Sequence, residues 1–264
     1  FKAKYYTTQH IQFDKNSHFG IAKANVETFF TYMIPSYDFS KAKTIVSVAA
    51  DFLNSWGSPI ENTKQYALGR DAAAAQNEIS SHDHCESNLS MTGANADYRS
   101  QIKPSEEGAV VIALYNEIAT AAGRATLQGG VDKQYLKKAA AELWANRGKA
   151  LVVAGSNDKN IQILVNGIND MLGSYGVTIL PNAPVNFRKG DDVAMANFVS
   201  ELEGGKIAGV VFFNANPVYD HPQGDKIAAA LKNISLSVPT SYKEDETGRN
   251  CLSPLLKPCG IIMY

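Results

Sequence analysis

The sequence predicts an α/β fold in two lobes, each built on a parallel, doubly wound sheet. Three observations predict it. Short β-branched apolar runs alternate with longer stretches of helical periodicity, which is the pattern of βαβ units. Prolines, glycines and capping residues stand where the period changes. A length of 264 residues with 45% hydrophobic content is enough to bury one or two cores.

In the first lobe, residues 1–148, strands are expected at 10–13 and 44–49, with a helix over 21–33 between them. Pro35-Ser36-Tyr37-Asp38 ends that helix, because proline has no backbone donor and turns its predecessor away from the helical region. The run 44–49 is apolar enough to be buried on both faces. An Ala-rich helical stretch follows Ile60. The chain then turns polar and helix-poor over 80–103, a long connection of the kind that is functional or interfacial. Amphipathic periodicity resumes at 106–122. A further helix covers 131–147, with Asp132 as its N-cap and Gly148 in the C′ position.

The second lobe, residues 149–264, has a regular rhythm: strands at 150–154, 177–180, 207–213 and 234–238 alternate with helices at 158–172, 191–202 and 224–231. Right-handed crossovers make this a small Rossmann-like sheet with helices on both faces. Ligands of such sheets bind beyond the carboxyl ends of strands, so the loops after Ala49, Ala154, Leu180, Phe213 and Val238 are the candidate sites.

A net charge of −1 offers no basic excess for phosphates or anionic lipid, which argues against nucleic-acid and polybasic membrane partners. No apolar stretch has the length of a membrane span, and the first residues lack the regions of a signal peptide. A strand expected so soon after a start other than Met suggests a piece of a longer protein. Cys85, Cys251 and Cys259 are too few and too dispersed for a disulfide framework or an iron–sulfur site.

Gly155-Ser156-Asn157-Asp158 follows a buried strand and opens a helix, where backbone N–H groups can receive a phosphate. Without the spaced glycines of a dinucleotide fingerprint it reads as a plain capped turn. The richest loop is 213–222, at the end of the apolar strand over 207–213. Its asparagines supply donors and acceptors and its prolines hold the backbone, which suits either a nucleotide grip or a rigid surface turn. His82, Asp83, His84, Cys85 and Glu86 form a dense run of metal-ligating types, but adjacent residues seldom converge on one ion, so a solvated or partner-facing loop is expected.

Asn214-Ala215-Asn216-Pro217 resembles the Gly-x-Asn-Pro loop of the molybdopterin oxidoreductase family, and residues 238–247 resemble that family's next strand and its Asp-x-x-x-x-Glu-Thr-Ala segment. Residues 39–51 are similar to the strand before an earlier loop of the same kind, and 95–108 to an Ala-Asp... Ile-Arg-Pro-Gly-Thr-Asp segment. In this chain Ser105-Glu106-Glu107 stands where the family has Gly-Thr-Asp, and the glutamates would repel a phosphate. Residues 87–99 and 216–222 look closest to the molybdopterin-like portion of the large iron–sulfur subunit of alternative complex III, a quinol-oxidising assembly.

That resemblance implies Asn214, Asn216, Pro217, Asp220, Glu246 and Thr247 as cofactor-binding candidates, either vestigial or in use. It implies a cofactor-free docking domain as the first expectation, with iron–sulfur clusters elsewhere in the parent chain. An active molybdopterin guanine dinucleotide-binding domain is the alternative, and a nucleotide-binding α/β module a third. No catalytic or metal residue is assigned. The implied partners are other subunits of a membrane-bound respiratory complex, with the chain on the periplasmic side of a bacterial inner membrane and not inserted in it.

Overall fold

The computed structural model describes residues 3–73, 79–241 and 243–251. They form two compact units: His18–Phe187, and the described residues of Phe1–Ser17 together with Arg188–Tyr264.

In the unit His18–Phe187 the elements run α1 (Phe19–Phe29), β1 (Ile34–Tyr37), β2 (Thr44–Val48), α2 (Pro59–Arg70), β3 (Ser81–Glu86), α3 (Met91–Ala94), β4 (Tyr98–Gln101), α4 (Glu107–Ala121), α5 (Gln134–Ala145), β5 (Ala150–Ala154), α6 (Lys159–Leu172) and β6 (Ile179–Val185). A four-stranded parallel sheet of order β4-β3-β2-β5 is its centre, and helices flank it, a Rossmann-like α/β arrangement. Strand residues alternate between the two faces. Val46, Val48, Val152 and Ala154 pack under Val110, Leu114 and Ile118 of α4, Leu136 and Leu143 of α5, and Ile168 and Leu172 of α6. Ile45, Leu151 and Val153 face Ile21 and Ala22 of α1, Tyr66 of α2, and Phe39, Phe52 and Trp56.

Four sequence expectations are corrected here. A boundary at 148 would separate β5 from its neighbour β2, to which it is paired from Thr44↔Ala150 to Val48↔Ala154. The polar stretch 80–103 is not a loop, because β3, α3 and β4 lie within it. The strand expected at 177–180 is β6, which pairs antiparallel with β1 rather than joining a parallel sheet. Pro35, Pro181 and Pro184 lie in these two strands and lack backbone donors, which confines them to an isolated pair. Residues 10–13 form no strand; Ile11 and Phe13 instead pack as anchors on the core of the other unit.

That unit contains α7 (Asp192–Glu203), β7 (Gly209–Phe212), α8 (Pro217–Asp220), α9 (Gly224–Leu231), β8 (Leu236–Pro239) and α10 (Glu246–Arg249). The strands β7 and β8 are parallel, in register from Gly209↔Leu236 to Phe212↔Pro239. Met195, Phe198, Val199 and Leu202 of α7 meet Ile227 and Leu231 of α9 over Phe212. The pair is smaller than the sheet expected of residues 149–264, since β5 and β6 find partners in the other unit. Residues 252–264 lie outside the described residues, as does Tyr242.

Candidate functional site

Open α/β sheets bind ligands where the strand order reverses, beyond the carboxyl ends of the strands. In the order β4-β3-β2-β5 that place is between β2 and β5. Here the crevice is filled by the chain's own backbone. Gly155 N donates to Val48 O at 2.8 Å, and a Cβ on Gly155 would stand 2.0 Å from Ala49 O. The start of α1 closes the other side: Gly20 N donates to Asn157 Oδ1 at 2.7 Å, and a Cβ on Gly20 would meet Asn157 O at 2.3 Å. The expected capped turn is present, with Asp158 accepting from Asn160 N and Ile161 N.

Beside that crevice, carboxylates engage the donors that an anion would use. Asp51 Oδ1, after β2, accepts from Thr92 N at 3.1 Å and Thr92 Oγ1 at 2.8 Å. Glu86, the last residue of β3, accepts from Ser90 N with both oxygens at 3.1 Å and from Arg99 Nε at 2.6 Å. Burial pushes the Glu86 carboxyl up, but the Arg99 and Ser90 hydrogen bonds outweigh it and hold it down to about 2. A Cβ on Gly93 would stand 1.9 Å from Glu86 Oε1, so the glycine is required by the carboxylate. Arg70 is engaged too, but at the opposite, amino end of the sheet, bonded to Asp97 at 2.7 and 2.6 Å. Glu106 Oε2 turns back to accept from Lys103 N at 3.1 Å at the head of α4.

The run of residues 82–86, expected as a solvated or partner-facing loop, is an interior strand. His82, His84 and Glu86 point to one face at strand spacing and are 0%, 1% and 4% exposed. Ser47 Oγ of β2 lies 2.7 Å from His82 Nε2 and 2.5 Å from His84 Nδ1. Tyr66 Oη lies 3.2 Å from His82 Nδ1, and His84 Nε2 lies 3.0 Å from Glu86 Oε2. Burial pulls His82 down to about 3, with His84 and Arg70 adding to the effect. Burial also lowers His84, against the attraction of Glu86. Among the described residues no group of three His, Cys, Asp or Glu side chains is placed to hold a metal ion. The signal that sequence reading passed over is the period-two spacing of His82, His84 and Glu86 between two helical stretches.

In the other unit the loops after β7 and β8 bring most of the candidate residues together. Asn216 Oδ1 accepts from Thr247 N at 3.1 Å and Thr247 Oγ1 at 2.7 Å, while Asn216 Nδ2 donates to Glu246 Oε2 at 2.8 Å. Thr247 is buried, and its hydroxyl accepts from Val218 N at 3.1 Å. The bond from Asn216 draws the Glu246 carboxyl below its ordinary range. Pro217 is the first residue of α8, where its missing donor costs nothing. Asn214 stands apart, with φ of 49°, a left-handed conformation that asparagine tolerates. Asp220 also stands apart, 3.8 Å from Lys15 Nζ.

A pterin guanine dinucleotide carries a pyrophosphate, which calls for outward N–H groups and available cations. At the carboxyl end of the four-stranded sheet the donors face carboxylates, Arg99 is paired with Glu86, and the crevice is closed. The residues there do not fit that group.

The fold is a Rossmann-like α/β arrangement, and at the carboxyl ends of β2 and β3 the polar groups are bonded to the chain itself. The chain is 25% identical, over 253 residues, to the menaquinone reductase, molybdopterin-binding-like subunit of Nitratidesulfovibrio vulgaris; the match covers 81% of this chain and 36% of that protein. This likeness supports a molybdopterin-oxidoreductase-like relationship. The chain thus spans little more than a third of the length of the curated relative it matches. No family model matches it. No helix among the described residues is long and apolar enough to cross a membrane.

Proposed function

We propose that this chain is a cofactor-free structural and docking portion of a molybdopterin-oxidoreductase-like subunit in a respiratory complex that exchanges electrons with quinones. The observation that carries the reading is the closed crevice between β2 and β5, where Gly155 lies against Ala49 O and the neighbouring N–H groups of Ser90 and Thr92 are bound by Glu86 and Asp51. A scaffold of this kind keeps the fold of a nucleotide cradle and offers its outer surface to other subunits. The finer assignment is kinship with the large iron–sulfur subunit of alternative complex III. In it, iron–sulfur clusters lie elsewhere in the parent chain, and the domain sits on the periplasmic side of a bacterial inner membrane, attached through its partners.

The test is the molybdenum and pterin content of the intact parent subunit, by elemental analysis and by fluorescence of the oxidised pterin. Neither is expected above background. Stoichiometric molybdenum with a bound pterin dinucleotide would overturn the proposal. A second reading keeps a working site in the loops after β7 and β8, and is favoured only by the convergence of Asn216, Glu246 and Thr247. Asn216→Ala in the intact complex separates the two: unchanged cofactor content and turnover eliminate the working site.

A further inference from the structure

The polar side chains buried under the four-stranded sheet form one continuous line, Tyr66, His82, Ser47, His84 and Glu86, which ends at the exposed Arg99. Buried polar groups persist where they are hydrogen-bonded, and a line of hydroxyls and imidazoles has a further property, since each member both gives and receives a proton. Counting those protons defines what the line can do.

With Glu86 ionised and both imidazoles neutral, the directions are forced. His84 Nε2 faces Glu86 Oε2 at 3.0 Å and must carry hydrogen, because a bare lone pair against a carboxylate oxygen is repulsive. His84 Nδ1 is then an acceptor and takes the Ser47 proton. Ser47 Oγ accepts from His82 Nε2, and His82 Nδ1 accepts from Tyr66. Tyr66 has a single proton, so the carbonyl of Asn95, 2.9 Å from its hydroxyl, does not receive it in this state.

One added proton reverses the line. His84 becomes an imidazolium, donating from Nε2 to Glu86 and from Nδ1 to Ser47. Ser47 donates to His82 Nε2, His82 donates from Nδ1 to Tyr66, and Tyr66 donates to Asn95 O. Every donor again has an acceptor. We propose that this line is a proton relay with two complete hydrogen-bonding states that differ by one proton, running from Tyr66 beside the exposed Asn95 to the Glu86 carboxylate.

The balance is simple. Tyr66 passes its proton to His82 Nδ1 and takes one from solvent. His82 passes its Nε2 proton to Ser47, and Ser47 passes its own to His84 Nδ1. No bond between heavy atoms forms or breaks.

The charge comes to rest on His84 because of what surrounds each ring. His84 has Glu86 on its own strand, with Asp51 after β2 and Arg99 on β4 further out. His82 has the rings of Phe52 and Tyr66 against it at 5.3 and 5.6 Å, the Arg70 cation of α2 nearby, and Asp97 beyond. Burial disfavours a cation on either ring, so acid populates the loaded state only below the ordinary histidine range. The relay stands independently of the scaffold reading.

Nitrogen NMR of the full chain, labelled at histidine and followed from about pH 7 to about pH 3, tests it. Both rings are expected to carry Hε2 at neutral pH. On acidification His84 gains its second proton, and with the same midpoint the pyrrole-like and pyridine-like signals of His82 change places. In Ser47→Ala the link is cut, and His84 titrates while His82 keeps its tautomer. Three results would overturn the relay: His82 carrying Hδ1 at neutral pH, His82 holding one tautomer through the titration of His84, or acid unfolding with both rings still neutral.

Discussion

The carboxyl ends of β2 and β3 and those of β7 and β8 carry similar groups, a glutamate, hydroxyls and a short helix, yet they bind them at different depths. Glu86 is 4% exposed and holds Arg99, Ser90 and His84 at once, whereas Glu246 is exposed and is held by Asn216. Hydrogen bonds of like geometry gain very different weight from that contrast, because low local polarity strengthens a pair and makes its loss costly. The first strand end is a structural core made of polar atoms; the second is a surface clasp.

Acid separates them most. The folded-state pKa of Glu86, about 2, lies below its unfolded value, so its contribution to stability is present at neutral pH and is lost as pH falls towards 2. His82, at about 3, is also depressed, so the unfolded chain binds its proton first and stability falls as pH drops below the ordinary histidine range. Asp83, on the opposite face of β3, is raised to about 6 by burial and works the other way, losing its contribution as pH rises through that value. Urea unfolding across pH is expected to show a steep net loss on acidification; a flat profile would break the contrast.

Glu86→Ala comes next, at about 2–3 kcal/mol, because it leaves the buried His84 Nε2 without its acceptor and takes a partner from Ser90 N and Arg99. Chemical denaturation measures it. Gly155→Ala is expected to cost about 1–3 kcal/mol, since its Cβ meets backbone, which cannot swing aside. A stabilised Gly155→Ala protein would mean that the crevice has room. The smallest effects belong to the clasp. Asn216→Ala should cost about 1 kcal/mol through the lost acceptor of Thr247, and Glu246→Gln should leave the unfolding midpoint unchanged. A Glu246→Gln effect as large as that of Glu86→Ala would erase the distinction between the two ends.

Local pattern made much of this legible. The strand at Ala150–Ala154 and the helix at Gly224–Leu231 follow from runs and caps confined to a few residues, and both occur as expected. Asp158 and Asp191 cap α6 and α7 through the bonds that aspartate provides. Pairing is a different matter. Nothing near residue 150 says that β5 lies beside β2, since that choice is made across about a hundred residues of intervening chain.

The strand at Ser81–Glu86 was hidden for a chemical reason. Apolarity is the usual mark of a central strand, and here the inward residues are histidines and a glutamate, made tolerable by Ser47, Tyr66 and Arg99 from three other places in the chain. Of the candidate residues, Asn216, Glu246 and Thr247 could be grouped by their motif, but not the fact that they spend their hydrogen bonds on one another.

The double duty of Asp51 and Glu86 has a consequence for the history such a fold can follow. Each fastens the backbone at residues 90–92 and also places a carboxylate at the sheet's edge. A single exchange that made room for a phosphate would loosen that segment, and widening the seam at Gly155 would undo a backbone contact as well. Opening that edge to a phosphate therefore takes several coordinated replacements, and no one of them alone is tolerated without loss of packing.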